Sequence, residues 1–88
     1  MADLNVAIAD DNPQTLCLLQ DIVEGERGFH VVGKADNGED AYAMIVETNP
    51  DIVLLDVIMP GMDGISVMER VKQNVSSDKV PSFIMVTA

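Results

Sequence analysis

Basic residues are scarce in this sequence: five Lys and Arg stand against fifteen Asp and Glu, which gives a net charge of −10. Such an acidic surface repels the phosphate backbone of DNA and RNA, so any nucleic-acid binding must belong to another segment. Cysteine occurs once, at Cys17, which excludes an intrachain disulfide and a cysteine-based zinc cluster. Because Cys17 lies in an apolar stretch typical of a helix, we expect a buried, inert thiol.

Long hydrophobic runs are also missing. No stretch approaches the ~20 apolar residues of a membrane-spanning helix, and the N-terminus lacks the pattern of a signal peptide. We therefore expect a cytoplasmic protein. An apolar fraction of 48% with 23% charged residues is typical of a packed core rather than of a disordered chain. At 88 residues, the sequence is one domain or part of one.

Strand and helix signals alternate along the chain. Predicted strands cover residues 4–9, 29–35, 51–55 and 82–87, with a predicted helix in each interval. Asn12 and Pro13 mark the first helix start, because asparagine caps helices and proline favours their first position. The inner side of the third helix is predicted to carry Ile65, Met68, Val71 and Val75. This alternation predicts an α/β fold, a doubly wound, mainly parallel sheet with helices on both faces.

Polar side chains stand where three of these strands end. Asp10 and Asp11 follow the first strand, Asp56 follows the third, and Thr87 ends the fourth. Ligands of doubly wound sheets bind at the carboxyl ends of the strands. We therefore expect three carboxylates and a hydroxyl to meet at one edge of the sheet.

Clustered carboxylates repel one another. At an effective dielectric near 20, each pair 4–5 Å apart costs on the order of 3–4 kcal/mol, which protons or a cation must relieve. Oxygen ligands without His or Cys favour Mg²⁺ or another hard divalent ion, such as Ca²⁺ or Mn²⁺. Asp56 can then attack phosphorus and form an acyl phosphate, with Thr87 donating a hydrogen bond to a phosphoryl oxygen. Taken singly, the Asp pair also fits a capping turn and Asp56 a solvated strand end, but their joint placement favours a site.

Two motifs closely resemble bacterial response-regulator receiver domains, the CheY-like family. They are the pair Asp10-Asp11 and residues 56–64, DVIMPGMDG; the final residues 86–88, VTA, are similar to the end of the fourth strand in that family. In more detail, residues 9–25 and 33–41 resemble the master sporulation regulators of spore-forming bacilli. The resemblance implies the flavodoxin-like strand order 2-1-3-4-5, with residues 1–88 forming a receiver domain that is truncated after its fourth strand.

The resemblance also implies a role for each site residue. Asp56 is the implied phosphoacceptor, and Asp11 and Asp56 the implied carboxylate ligands of Mg²⁺. Ile58 would bind the ion through its backbone carbonyl, Asp10 would act through a metal-bound water, and Thr87 would be the switch hydroxyl. The Lys that follows the fifth strand in the family, and the switch aromatic within that strand, have no counterpart in this sequence. One expected phosphate contact is therefore missing.

The implied partners are a phosphodonor protein and an output domain. The donor would be a histidine kinase or a phosphorelay phosphotransferase, and the output, beyond this chain, a DNA-binding transcription domain. The chain itself would be a signalling module rather than a turnover enzyme, and it would bind neither nucleic acid nor membrane. Because truncation leaves the apolar fourth strand at the sheet edge, we also expect pairing there, as a dimer or as a swapped completion.

Three other interpretations remain open. A magnesium-dependent phosphohydrolase with an aspartyl nucleophile would need a second Asp two residues later, where this sequence has Ile58. A flavodoxin-like cofactor binder would need a Gly, Ser or Thr loop after the first strand, where carboxylates instead repel a flavin phosphate. A receiver-like interaction domain without phosphorylation usually lacks one of the acids, and here Asp10, Asp11 and Asp56 are all present.

Overall fold

A computed structural model describes residues 3–86 of the chain. The elements are β1 (Leu4–Ala9), α1 (Pro13–Glu24), β2 (Phe29–Ala35), α2 (Gly38–Thr48), β3 (Ile52–Asp56), α3 (Gly64–Asn74) and β4 (Ser82–Val86), with a 3-10 turn at Ser77–Lys79. The predicted alternation is confirmed, and β3 begins and ends one residue later than expected. Thr87 lies outside the described residues.

The four strands form one parallel sheet in the order β2-β1-β3-β4. This order confirms the predicted doubly wound topology. The central strands β1 and β3 run side by side, and Ala9 pairs with Leu55 near their carboxyl ends. The next residues along the two strands, Asp10 and Asp56, are therefore neighbours because of the register.

Side-chain caps begin all three α-helices. The side-chain oxygens of Asn12, Asn37 and Asp63 accept hydrogen bonds from backbone N–H groups in the first turns of α1, α2 and α3. These bonds satisfy donors that have no partner within the helix. Since each cap follows a strand in the sequence, the helices all start near the carboxyl edge of the sheet.

The main hydrophobic cluster lies where α2 and α3 pack against one face of the sheet. Its buried members are Ala7, Ala9, Ala35, Ala41, Ile45, Val53, Leu55, Met59, Val67 and Val71. α1 contacts β1 and β2 from the opposite face, to which the buried residues Val6 and Ile8 belong. The sheet therefore carries helices on both faces, as the alternation predicted.

The predicted inner face of α3 is wrong at one position. Ile65 is 47% exposed, whereas Val67 is fully buried and Val71 lies on the same side. The first residue of the helix, Gly64, is buried against the Asp56 backbone. That contact sets the rotation of the helix and turns Ile65 away from the sheet.

α1 covers the β1–β2 half of its face and buries none of its residues completely. Leu18 is 59% exposed and Ile22 56%, and Cys17 is exposed as well. The expectation of a buried thiol at Cys17 is therefore wrong. Only one side of this apolar stretch faces the sheet, and Cys17 lies on the other.

The β4 strand leaves a second apolar side chain open on the α1 face. Phe83 and Met85 pack toward the α2–α3 cluster, so Ile84, between them, points to the opposite face, where it is 51% exposed. Within residues 3–86, β4 forms one edge of the sheet. Over the same residues, no helix combines the length and the apolar character needed to cross a membrane.

Candidate functional site

The structure brings Asp10, Asp11 and Asp56 together at the carboxyl edge of the sheet. One carboxylate oxygen from each residue lies within 4.8 Å of those of the other two. Asp10 and Asp11 follow β1, and Asp56 ends the neighbouring strand β3. The positions of these acids in the sequence predicted this convergence. The ends of the two neighbouring strands are enough to bring the three carboxylates together.

Asp10 is held more firmly than its sequence neighbour. Its side chain is buried, its backbone N–H donates to the Ala35 carbonyl at 3.0 Å, and its Oδ1 accepts the Asn12 N–H at 2.9 Å. Asp11 is exposed. The pair therefore offers one fixed carboxylate and one that can adjust to a ligand.

Asp56 is half-buried at the end of β3, and its Oδ1 accepts the Ile58 N–H at 3.2 Å. Burial raises the pKa of the Asp56 carboxyl above its usual value, and the negative charges of Asp10 and Asp11 raise it further. The hydrogen bond from Ile58 partly opposes this shift of the pKa. The ionised site is therefore electrostatically strained unless a cation is bound.

The raised pKa predicts the sign of a pH effect in metal-free protein. Between the usual pKa of an aspartate, about 3.9, and the raised folded pKa, the folded state binds more protons than the unfolded state, so stability falls as pH rises. We expect Asp56→Asn to melt at a higher temperature than the unsubstituted protein at pH 7 in EDTA. This difference in melting temperature should vanish as the pH falls below the usual pKa of an aspartate. Melting curves across this pH range test the prediction.

Asp63→Asn is the control, because this substitution is expected to change the melting temperature in the opposite direction. Hydrogen bonds from Ser66 lower the pKa of Asp63, so its ionised form stabilises the fold above the usual aspartate pKa, and this contribution is lost as pH falls through the lowered value. Asp63→Asn should therefore melt at a lower temperature than the unsubstituted protein at pH 7. If Asp56→Asn also melted at a lower temperature, the result would contradict the proposed destabilisation of the fold by the ionised Asp56 carboxylate.

The β3–α3 loop, residues 57–63, forms the wall of the site beside Asp56. The Val57 carbonyl accepts the Gly64 N–H at 2.8 Å and closes the loop at its base. Met59 is buried, whereas the Ile58 side chain is 78% exposed. Gly61 has a φ of 81°, a left-handed conformation that glycine adopts without strain. The loop is therefore held in one conformation by these contacts, and it brings the Ile58 backbone beside Asp56.

The donor set fits a hard divalent cation. Among the described residues, the groups that converge here are carboxylates, with no His or Cys beside them. Carboxylate and carbonyl oxygens suit Mg²⁺, which keeps several of its waters when bound to proteins. Thr87, the predicted hydroxyl partner, lies outside the described residues.

Two glycines support this loop by close backbone contacts. Gly64 belongs to the motif at residues 56–64, whereas Gly38 was not identified from the sequence. A Cβ atom at Gly38 would overlap the Met62 backbone, and one at Gly64 would overlap the Asp56 carbonyl oxygen. Both glycines are the first residue of a helix and directly follow an Asn or Asp cap. In the sequence, the signal for these two glycines is an Asn or Asp followed directly by Gly at a predicted helix start.

The chain is similar to known proteins both in sequence and in fold. The profile of the response regulator receiver domain family matches residues 6–88. Among solved structures, the signal receiver domain of the response regulator NarL from Mycobacterium tuberculosis is 31% identical with a TM-score of 0.88, and the match covers 100% of this chain and 68% of that one.

Two further structures agree with that comparison. A chain of the CheX–CheY–BeF3–Mg²⁺ complex from Borrelia burgdorferi is 34% identical with a TM-score of 0.86, covering 99% of this chain and 63% of that one. A DNA-binding response regulator of the LuxR family from Staphylococcus aureus is 30% identical with a TM-score of 0.85, over 96% and 68%. The present chain thus spans about two thirds of the length of these relatives, and less than two thirds of the Borrelia chain.

Proposed function

Because the chain belongs to the response regulator receiver domain family, we propose that it accepts a phosphoryl group on Asp56 in a Mg²⁺-dependent reaction. The observation that carries this proposal is the cluster of Asp10, Asp11 and Asp56, whose carboxylate oxygens lie within 4.8 Å of one another. In this proposal, residues 1–88 are the larger part of a receiver domain that works in the cytoplasm. As a receiver domain, the chain is a signalling module rather than a typical enzyme.

Asp56 supplies the nucleophile. Its Oδ1 accepts the Ile58 N–H, which orients the carboxylate, and we assign Oδ2 as the attacking atom. An O–P bond forms at Oδ2 while the bond from phosphorus to the donor breaks, and the electron pair leaves with the donor, such as an imidazole nitrogen. The attacking carboxylate carries no proton to remove, so this step needs no general base.

The remaining groups balance charge around that step. The carboxylates of Asp11 and Asp56, with the backbone carbonyl of Ile58, would hold Mg²⁺ directly, and the fixed Asp10 carboxylate would bind a water of the ion. When bound, Mg²⁺ neutralises charge on the phosphoryl oxygens. Thr87 would donate its hydroxyl to one of those oxygens and carry the switch. The Borrelia complex, which contains Mg²⁺ and BeF3, supports this chemistry by analogy.

The output is inferred from a relative, and the phosphodonor from the resemblance described in the sequence analysis. The Staphylococcus aureus relative is a DNA-binding response regulator, which supports a DNA-binding output domain controlled by the phosphorylation of this chain. The similarity of residues 9–25 and 33–41 to sporulation regulators supports a phosphorelay phosphotransferase as donor. The acidic chain itself would leave DNA contact to the output domain.

We further infer that a strand and helices absent from the described fold cover β4 and the open part of the α1 face. The exposed side chains of Leu18, Ile22 and Ile84 form the surface to be covered. The covering segment would come from the same protein or from a partner, by dimerisation or swapping. Sedimentation of isolated residues 1–88 as a folded, monodisperse monomer would contradict this inference.

The test of the proposed function is intact mass before and after incubation with acetyl phosphate and Mg²⁺. We expect a gain of one phosphoryl group that depends on the metal. No gain from the intact natural protein would overturn the proposal and favour a receiver-like interaction domain.

A further inference from the structure

The N-terminus of α2 lies directly against the loop that borders the site. The Pro60 carbonyl accepts two hydrogen bonds, from the Met62 N–H at 3.0 Å and from the Gly38 N–H at 3.4 Å. The second bond satisfies one of the donors that a helix leaves unpaired at its first turn. The turn at residues 60–62 is therefore bonded to α2 as well as to itself.

Contact between the two backbones is too close for a side chain. A Cβ atom built on Gly38 would overlap the Met62 carbonyl oxygen and lie 2.6 Å from the carbonyl carbon. Ordinary contacts between such atoms begin near 3.5 Å. Because the obstacle is backbone, one of the two segments must move to admit even a methyl group.

The other end of the loop is fixed in a similar way. The Gly64 N–H donates to the Val57 carbonyl at 2.8 Å, and a Cβ atom on Gly64 would overlap the Asp56 carbonyl oxygen. Between these two contacts, the side chain of Met59 is buried in the main hydrophobic cluster and anchors the loop there. The Ile58 carbonyl thus sits on a segment held by α3 at one end and by α2 at the other.

We propose that Gly38 is a positioning residue for the metal site, which acts through the turn at residues 60–62 to place the Ile58 carbonyl relative to Asp56. This inference rests on the proposed Mg²⁺-dependent function. Mg²⁺ tolerates little departure from octahedral geometry, so a displaced loop lowers its affinity without removing a ligand. Outer groups that orient metal ligands typically contribute about 10–100-fold to affinity.

The substitution that tests this role is Gly38→Ala in the intact natural protein. We expect the dissociation constant for Mg²⁺, measured by titration calorimetry on folded protein, to rise about 10–100-fold. The matched control is Ala43→Gly, an exposed position of the same helix that weakens α2 without meeting the loop. Unchanged Mg²⁺ affinity in Gly38→Ala, or an equal loss in Ala43→Gly, would overturn the proposal.

A measurement on the unsubstituted protein does not depend on the variant folding. The amide NMR signals of Gly38 and Ile58 should shift with the same midpoint as Mg²⁺ is added, while that of Gly28, which lies just before β2, stays in place. If the Ile58 signal moves and that of Gly38 does not, the positioning role fails and the metal site stands. If neither signal moves, the metal site and the proposed function fail together.

Discussion

Asp56→Asn is expected to reduce phosphoryl labelling by acetyl phosphate to background while leaving the fold intact. The amide has nearly the same size as the carboxylate, and its oxygen can still accept the Ile58 N–H that Asp56 Oδ1 accepts. It lacks the negatively charged oxygen that attacks phosphorus. Intact mass after incubation with acetyl phosphate and Mg²⁺ measures the labelling, and a melting curve shows that the variant is folded.

Asp63→Asn is the matched control for this loss. It removes one negative charge from the loop that follows Asp56, and Asn caps helices about as well as Asp, so the bond to the Ser66 N–H is kept. We expect labelling close to that of the unsubstituted protein. Labelling that persists in Asp56→Asn would mean that another acid is the acceptor, and loss in both variants would mean that loop charge is the requirement.

Magnesium is expected to raise the free energy of unfolding by about 2.7 kcal/mol at a hundredfold excess over its dissociation constant, since a ligand that binds only the folded state stabilises it by mass action. The structural reason is the cluster of Asp10, Asp11 and Asp56, whose mutual repulsion the cation relieves. Denaturant unfolding of the intact natural protein with Mg²⁺ and with EDTA measures the difference.

Asp11→Asn should abolish most of that stabilisation at the same Mg²⁺ concentration. Asp51→Asn is the control, because Asp51 lies at the opposite end of β3, where its Oδ2 accepts the Asn5 N–H at 2.8 Å. This variant should keep the full response to Mg²⁺. An equal response in Asp11→Asn and in the unsubstituted protein would remove Asp11 from the site, and no response in any of them would remove the site itself.

The sheet and the acid cluster were predictable from the sequence because both follow from local patterns. Alternating strand and helix signals lead to a parallel sheet, and in such a sheet the carboxyl ends of central strands meet at one edge. Asp10 and Asp56 occupy those ends, so their proximity needed no knowledge of side-chain packing. The register was not predicted; the structure shows that Ala9 pairs with Leu55, which sets Asp10 beside Asp56.

What could not be predicted depends on contacts between segments far apart in the sequence. The rotation of α3 is set by Gly64 against the Asp56 backbone, so hydrophobic periodicity alone placed Ile65 inside, although Val67 takes that position. The exposure of Cys17 depends on which side of α1 meets the sheet. An apolar run along both sides of a helix carries no such information.

The central place of β1 in the sheet has a consequence for how the molecule is made. During synthesis β1 emerges first, yet its partners, β2 and β3, begin only at Phe29 and Ile52. An apolar strand without neighbours is prone to associate with other nascent chains. The net charge of −10 gives such chains a like charge, which opposes their association.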